Sequence, residues 1–188
     1  TGFGFLQNVV IENHQLEELQ RNLICSHACG MGEEVPEDIV KLMLALKIKS
    51  LAYGHSGVQL QTVMRFVEMF NLNVLPVIFT QGSLGASGDL APLSHLALPL
   101  IAEGEVYYNH KKTGSAKLLD QLGWQPIRLQ SKEGLALING TQFMGAYGLY
   151  SLIHAQKLLA WANAIAALSF DAFDCSTEPF NERIHQIR

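Results

Sequence analysis

Cysteine is scarce. Cys25, Cys29 and Cys175 are the whole supply in 188 residues. An odd, scattered set builds no disulfide framework and suits a reducing cytoplasm. Charge is scarce as well. Charged residues make up 16% of the chain and the net charge is -4, which leaves no basic footprint for nucleic acid or an anionic membrane. No apolar run reads as a membrane span. Leu90 to Ala102 is too short and holds Pro92, His95 and Pro99, while Ala146 to Phe173 is interrupted by His154, Gln156, Lys157 and Asn163. The glycine-rich opening Thr1-Gly2-Phe3-Gly4 carries no signal-peptide pattern. Hydrophobic residues, by contrast, reach 48%. With so little charge, this balance implies that much of the surface is covered by more chain or by other subunits.

Helical periodicity dominates. Leu16, Leu19, Leu23 and Ile24 share a face within Glu12 to Ala28, and Gly30 and Gly32 stop that helix. Pro36 opens a second helix with Glu37 and Asp38 in its first turn. A third runs from Val58 to Phe70. Asn71 to Asp89 is a turn-rich loop, followed by a helix over Leu90 to Ala102. Glu105 to Asn109 reads as a short strand, His110 to Gly114 as a tip, and Ile127 to Leu129 as the returning partner. Ser115 to Leu122 is a short helix. A long one spans Thr141 to Phe173 and is expected to be buried on most sides. The fold class is mainly α: a helical bundle with at most one small β-hairpin.

Cys25, His27 and Cys29 bear metal-ligating side chains. On a helix, however, Cys25 and Cys29 share a face while His27 points elsewhere, and no second ligand pair follows at zinc spacing. The expectation is no metal.

The segment Gly82-Ser83-Leu84-Gly85-Ala86-Ser87-Gly88-Asp89 is the most unusual in the chain. As a helix entry, Ser87 caps and Asp89 complements the first turn. As a serine-hydrolase elbow it fails, because Gly-x-Ser-x-Gly requires a residue between Ser87 and the second glycine. A third reading is backbone cyclisation. The Gly88 amide nitrogen attacks the Ala86 carbonyl carbon, and loss of water closes a ring. Loss of the Ser87 hydroxyl as a second water leaves an exocyclic methylene. Small residues permit that close approach, and glycine permits the strained backbone.

The run GSLGASGDLAPLSHL from Gly82 to Leu96 resembles the signature of the aromatic amino acid ammonia-lyase and aminomutase family. Thr1 to Gly4 resembles the end of that family's Tyr-Gly-x-x-Thr-Gly-Phe-Gly loop. Leu19 to Gly32 (LQRNLICSHACGMG) resembles its substrate-pocket helix, and Lys49 to Val58 (KSLAYGHSGV) the segment that follows. Gly134 to Gln142 (GLALINGTQ) resembles the stretch that places an asparagine beside the prosthetic group, and Arg183 to Arg188 one that precedes later site segments.

This resemblance implies a methylidene-imidazolone (MIO) prosthetic group made from Ala86, Ser87 and Gly88, with no external cofactor. It implies that Asp89 helps the cyclisation or orients the group, and that Asn139 contacts it. Ser26-His27 resembles the pair found in histidine lyases, which makes His27 a substrate-binding residue. Some tyrosine aminomutases carry the same pair, and phenylalanine lyases carry apolar residues there. The implied reaction converts L-histidine to urocanate and ammonia, with a tyrosine base standing four residues before the position of Thr1. The implied assembly is a cytoplasmic homotetramer acting on a small amino acid. The chain is expected to be an internal, inactive fragment. Residues 1–70 would supply the N-terminal helices and pocket segment, and 71–188 the MIO loop and the start of the central bundle. Tyrosine or phenylalanine lyases, aminomutases and a non-catalytic helical oligomerisation module remain alternatives. Gln142, Tyr147 and the other histidines receive no role.

Overall fold

The computed structural model describes residues 8–85 and 88–186. Thr1 to Gly4, Ala86, Ser87 and Arg188 lie outside the described residues. The chain divides into two compact units, residues 1–148 and 149–188.

In the first unit, a 3-10 turn at Asn13–Gln15 leads into α1 (Leu16–His27), whose first turn holds Glu17 and Glu18 and whose last holds His27. The acidic first turn complements the helix dipole. Next come β1 (Met31–Glu34), α2 (Glu37–Ala52), α3 (Leu60–Asn71), β2 (Leu75–Pro76) and β3 (Phe79–Gln81). The helix α4 (Leu90–Ala97) tightens into a 3-10 turn at Leu98–Ile101. Pro99 explains this, because it has no N–H to give the His95 carbonyl. The chain continues with β4 (Glu105–Tyr108), β5 (Lys111–Gly114), α5 (Ser115–Leu122), α6 (Glu133–Ile138) and α7 (Gln142–Ala172).

The mainly-α class holds, but there is more sheet than one hairpin. β1 pairs antiparallel with β3, and β2, β4 and β5 form a three-stranded sheet in that order. The hairpin partner also differs from the expected Ile127–Leu129. β5 returns immediately, with Tyr108 opposite Lys111. Asn109 and His110 both take positive φ, at 50° and 59°. Two such residues make the tight turn whose twist matches paired strands. Ile127 and Leu129 instead go into the core.

That core includes Ile24 from α1, Met43 and Leu44 from α2, Phe66 from α3, Leu93 and Leu96 from α4, and Leu137 from α6, all essentially buried. Each such side chain contributes about 1.5–3 kcal/mol relative to exposure. α6 is short and depends on three polar anchors. At its start, buried Glu133 accepts the Gln59 N–H at 2.7 Å, the Thr62 hydroxyl at 2.9 Å and the Gln130 N–H at 2.7 Å. The Gly134 N–H donates to Gln20 Oε1 at 2.9 Å, and a Cβ there would lie 3.1 Å from the Gln20 carbonyl, so α1 and α6 touch backbone to backbone. Near its end, the Lys47 ammonium donates to the Ala136 carbonyl at 2.8 Å. Lys47 is 1% exposed, and burial pushes its pKa down to about 8.

The second unit comprises the later part of α7, a 3-10 turn at Glu178–Phe180 and α8 (Glu182–His185). The Asn181 side chain caps α8 by accepting the Arg183 N–H at 3.0 Å. The Phe170 and Phe180 rings meet at 5.1 Å. The expected burial of α7 is not met within the chain: Leu158, Trp161 and Leu168 are each more than 60% exposed. A helix apolar on all sides needs cover on all sides, and 188 residues do not supply it here. No helix among the described residues is long and apolar enough to cross a membrane.

Candidate active site

The glycine-rich loop is gathered at its base by Asp89. This residue is completely buried and stands at the N-cap position of α4. Its carboxylate does not cap the helix. Oδ1 accepts the Ser83 hydroxyl at 2.6 Å, and Oδ2 accepts the Met144 N–H, in the first turn of α7, at 3.0 Å. The Asp89 N–H donates to the Gly140 carbonyl at 2.7 Å. One residue thus joins the near shoulder of the loop, the bend after α6 and the start of α7. The carboxylate also meets the positive end of α7, where a negative charge is stabilised.

Gly88 lies directly before it with φ +100°, in the region that favours glycine. A Cβ at Gly88 would sit 3.0 Å from Asn139 Oδ1 and 3.3 Å from the Gly140 carbonyl oxygen. The Asn139 carboxamide therefore lies against Gly88. Asn139 is the residue that leaves α6, in extended conformation, so the anchors of α6 also set its position. Gly88, Asp89 and Asn139 come together, and the two other residues of the tripeptide, Ala86 and Ser87, lie outside the described residues. The residues present fit the proposed ring: a glycine at positive φ, a carboxamide beside it and a buried carboxylate fixing the base of the loop.

His27 ends α1 and is half-buried. Its Nδ1 lies 2.8 Å from the Leu23 carbonyl and 3.2 Å from Ser26 Oγ. Donation from Nδ1 to that carbonyl leaves Nε2 as the acceptor nitrogen. The chain just beyond α1 packs under the glycine-rich loop. A Cβ on Gly82 would approach Gly30 Cα to 3.3 Å and Ala91 Cβ to 3.1 Å. The Gly30 N–H donates to His95 Nε2 at 3.1 Å, and Phe79 stands edge-on to the His95 ring at 5.1 Å. Burial holds the His95 pKa below its ordinary value, which keeps Nε2 available to accept.

Sequence reasoning passed over Ser83, Lys47 and His95. Lys47 did carry a signal: it falls in the stripe Val40, Met43, Leu44, Lys47, Leu51, where every other member is apolar and buried. His95 carried none beyond its place as the sixth residue of an apolar helix.

A sequence model of the aromatic amino acid lyase family matches residues 1–188. The chain belongs to that family. Similar members include the histidine ammonia-lyase of Deinococcus radiodurans, 49% identical over all of this chain and 36% of that protein. The crystal structure of the Trypanosoma cruzi histidine ammonia-lyase superposes with a TM-score of 0.90 at 42% identity, covering 97% of this chain and 36% of that one. The tyrosine aminomutase of Streptomyces globisporus gives a TM-score of 0.73 at 40% identity over 79% of this chain and 28% of that one. The chain thus spans little more than a third of the D. radiodurans and T. cruzi members' length. The matched stretch includes the loop, Asp89, Asn139 and His27.

Proposed function

We propose that this chain carries the electrophile-forming segment of a histidine ammonia-lyase, which converts L-histidine to trans-urocanate and ammonia. The observation that carries the proposal is the buried Asp89, which fixes the Gly82–Leu96 signature against the turn bearing Asn139. The near-half identity to histidine ammonia-lyases over the whole chain supports the choice of substrate.

A methylidene-imidazolone formed from Ala86, Ser87 and Gly88 supplies an electrophile that activates the substrate amine for departure. The chain's own residues do the positioning. Asp89 ties Ser83, at one end of the loop, to the Gly140 bend and the start of α7 at the other. Asn139 offers a carboxamide whose N–H can donate toward charge developing on the ring oxygen. His27 presents Nε2 as an acceptor for an imidazole N–H of the substrate. Residues 1–70 supply the pocket segment, and 71–188 the loop and the start of the bundle. Free cysteines suit a reducing cytoplasm. The exposed apolar faces of α7 suit burial in a homotetramer.

The test supplies the full-length protein with L-histidine, L-tyrosine and L-phenylalanine and identifies the products. Preferential formation of urocanate supports the proposal. Coumarate, cinnamate or a β-amino acid supports the second reading, which the aminomutase likeness favours. An intact mass without the loss of two waters, together with no turnover, leaves only a helical oligomerisation module.

A further inference from the structure

Gln142 opens α7, two residues beyond Gly140. Its carboxamide oxygen is buried and accepts no hydrogen bond among the described residues. Leaving a buried acceptor without a donor is costly, so its place calls for a reason. The carboxamide folds back over Gly140. A Cβ on Gly140 would overlap Gln142 Oε1 and lie 3.0 Å from both Cδ and Nε2. Gly140 in turn faces Gly88, with its carbonyl oxygen 3.3 Å and its nitrogen 3.5 Å from where a Gly88 Cβ would be. The orphaned oxygen is therefore one glycine removed from the tripeptide that forms the electrophile.

It is not spent on capping its helix. The Met144 N–H goes to Asp89 Oδ2 and the Gly145 N–H to the Thr141 carbonyl. A substrate N–H is suited to supply the missing donor. An amino acid substrate brings its donor-only α-ammonium to the electrophile, since that is the end that reacts, and the nearby Asp89 carboxylate favours positive charge there. Recognition of the substrate side chain falls to His27, on α1.

We infer that Gln142 is a substrate-binding residue, and that its carboxamide oxygen accepts an N–H of the substrate's α-ammonium. This rests on the ammonia-lyase reading, and the following experiment separates the two. In the full-length enzyme, Gln142→Met removes the acceptor at similar size, and Gln142→Glu keeps an acceptor. Urocanate keeps the imidazole but has no ammonium. The Gln142→Met variant should raise the KM for L-histidine about tenfold while the inhibition constant of urocanate stays within about twofold, because only one of the two ligands loses a bond. Gln142→Glu should restore the wild-type KM or lower it. Intact mass should show the two-water loss in both variants. A parallel rise for L-histidine and urocanate overturns the inference, as does no change in either, or a Glu variant no better than Met. A wild-type enzyme that makes no urocanate from L-histidine overturns the ammonia-lyase reading instead.

Discussion

His95 Nε2 accepts the backbone N–H of Gly30 at 3.1 Å, tying the helix behind the glycine-rich loop to the strand of chain that leaves His27. The bond requires a neutral imidazole. Burial lowers the His95 pKa, so the unfolded chain binds the proton more tightly than the folded one. Its stabilisation is complete above the ordinary histidine value of 6.5 and is lost as pH falls through the lower folded value. His95→Phe should cost about 1–3 kcal/mol by stranding the Gly30 N–H. It should also flatten the acid limb of stability below pH 6.5. Urea midpoints of the full-length wild type and variant across that range check both effects, and a variant with the same acid limb counts against them.

Asp89→Ala removes the acceptor for two donors from separate parts of the chain, Ser83 and Met144. The expected loss is about 1–3 kcal/mol for the buried donors, along with a failure of ring formation. Intact mass reads the second effect directly, as a protein retaining both waters. Asp89→Asn should be milder. Its carboxamide oxygen can still accept from Met144, and its NH2 can donate to the Ser83 hydroxyl.

Asn139→Ala separates formation of the electrophile from its use. Asp89 and its partners are untouched, so the two-water loss should persist. Turnover should fall by about 100- to 1,000-fold, as when one preorganised donor is removed from a developing charge. Steady-state kinetics on the mass-verified variant decides this. Unchanged kcat would remove Asn139 from the catalytic group.

Lys47 braces the helix that ends at Asn139, donating to the Ala136 carbonyl at 2.8 Å. Its pKa is lowered from the ordinary 10.5 to about 8, so stability should rise as pH climbs between those values, by up to about 3 kcal/mol. Lys47→Met should abolish that slope. It should also strand the Ala136 carbonyl and loosen the exit of α6, lowering kcat about tenfold with little change in KM. Denaturation midpoints at pH 8 and pH 10.5 test the slope, and kinetics at neutral pH tests the coupling to Asn139.

The sequence revealed most of the helices because their cues are local. Pro36 with Glu37 and Asp38, the Leu16–Ile24 stripe and the closing Gly123 each act within a few residues. The hairpin was misplaced because Asn109-His110 is a weaker signal for positive φ than Asn-Gly. β1 and β3 were missed because their partners lie about fifty residues apart, joined by a register that no local period encodes. The candidate site divides in the same way. Gly88, Asp89 and Asn139 can all be named from their motifs, but the motif does not tell what Asp89 binds. Its actual partners are Ser83 and, 55 residues away, Met144. Gln142 sat within a quoted motif, yet only the fold shows its oxygen without a donor.

The outward-facing leucines and tryptophan of α7 invert the usual guide to mutational tolerance. Leu158, Trp161 and Leu168 have the accessibility of surface positions in the single chain. If neighbouring helices enclose them, a lysine or glutamate there would be rejected as firmly as one in the protein's interior. A saturation library of the full-length gene should therefore be depleted of charge along this helix, while Glu17 and Glu18 on α1 accept it freely.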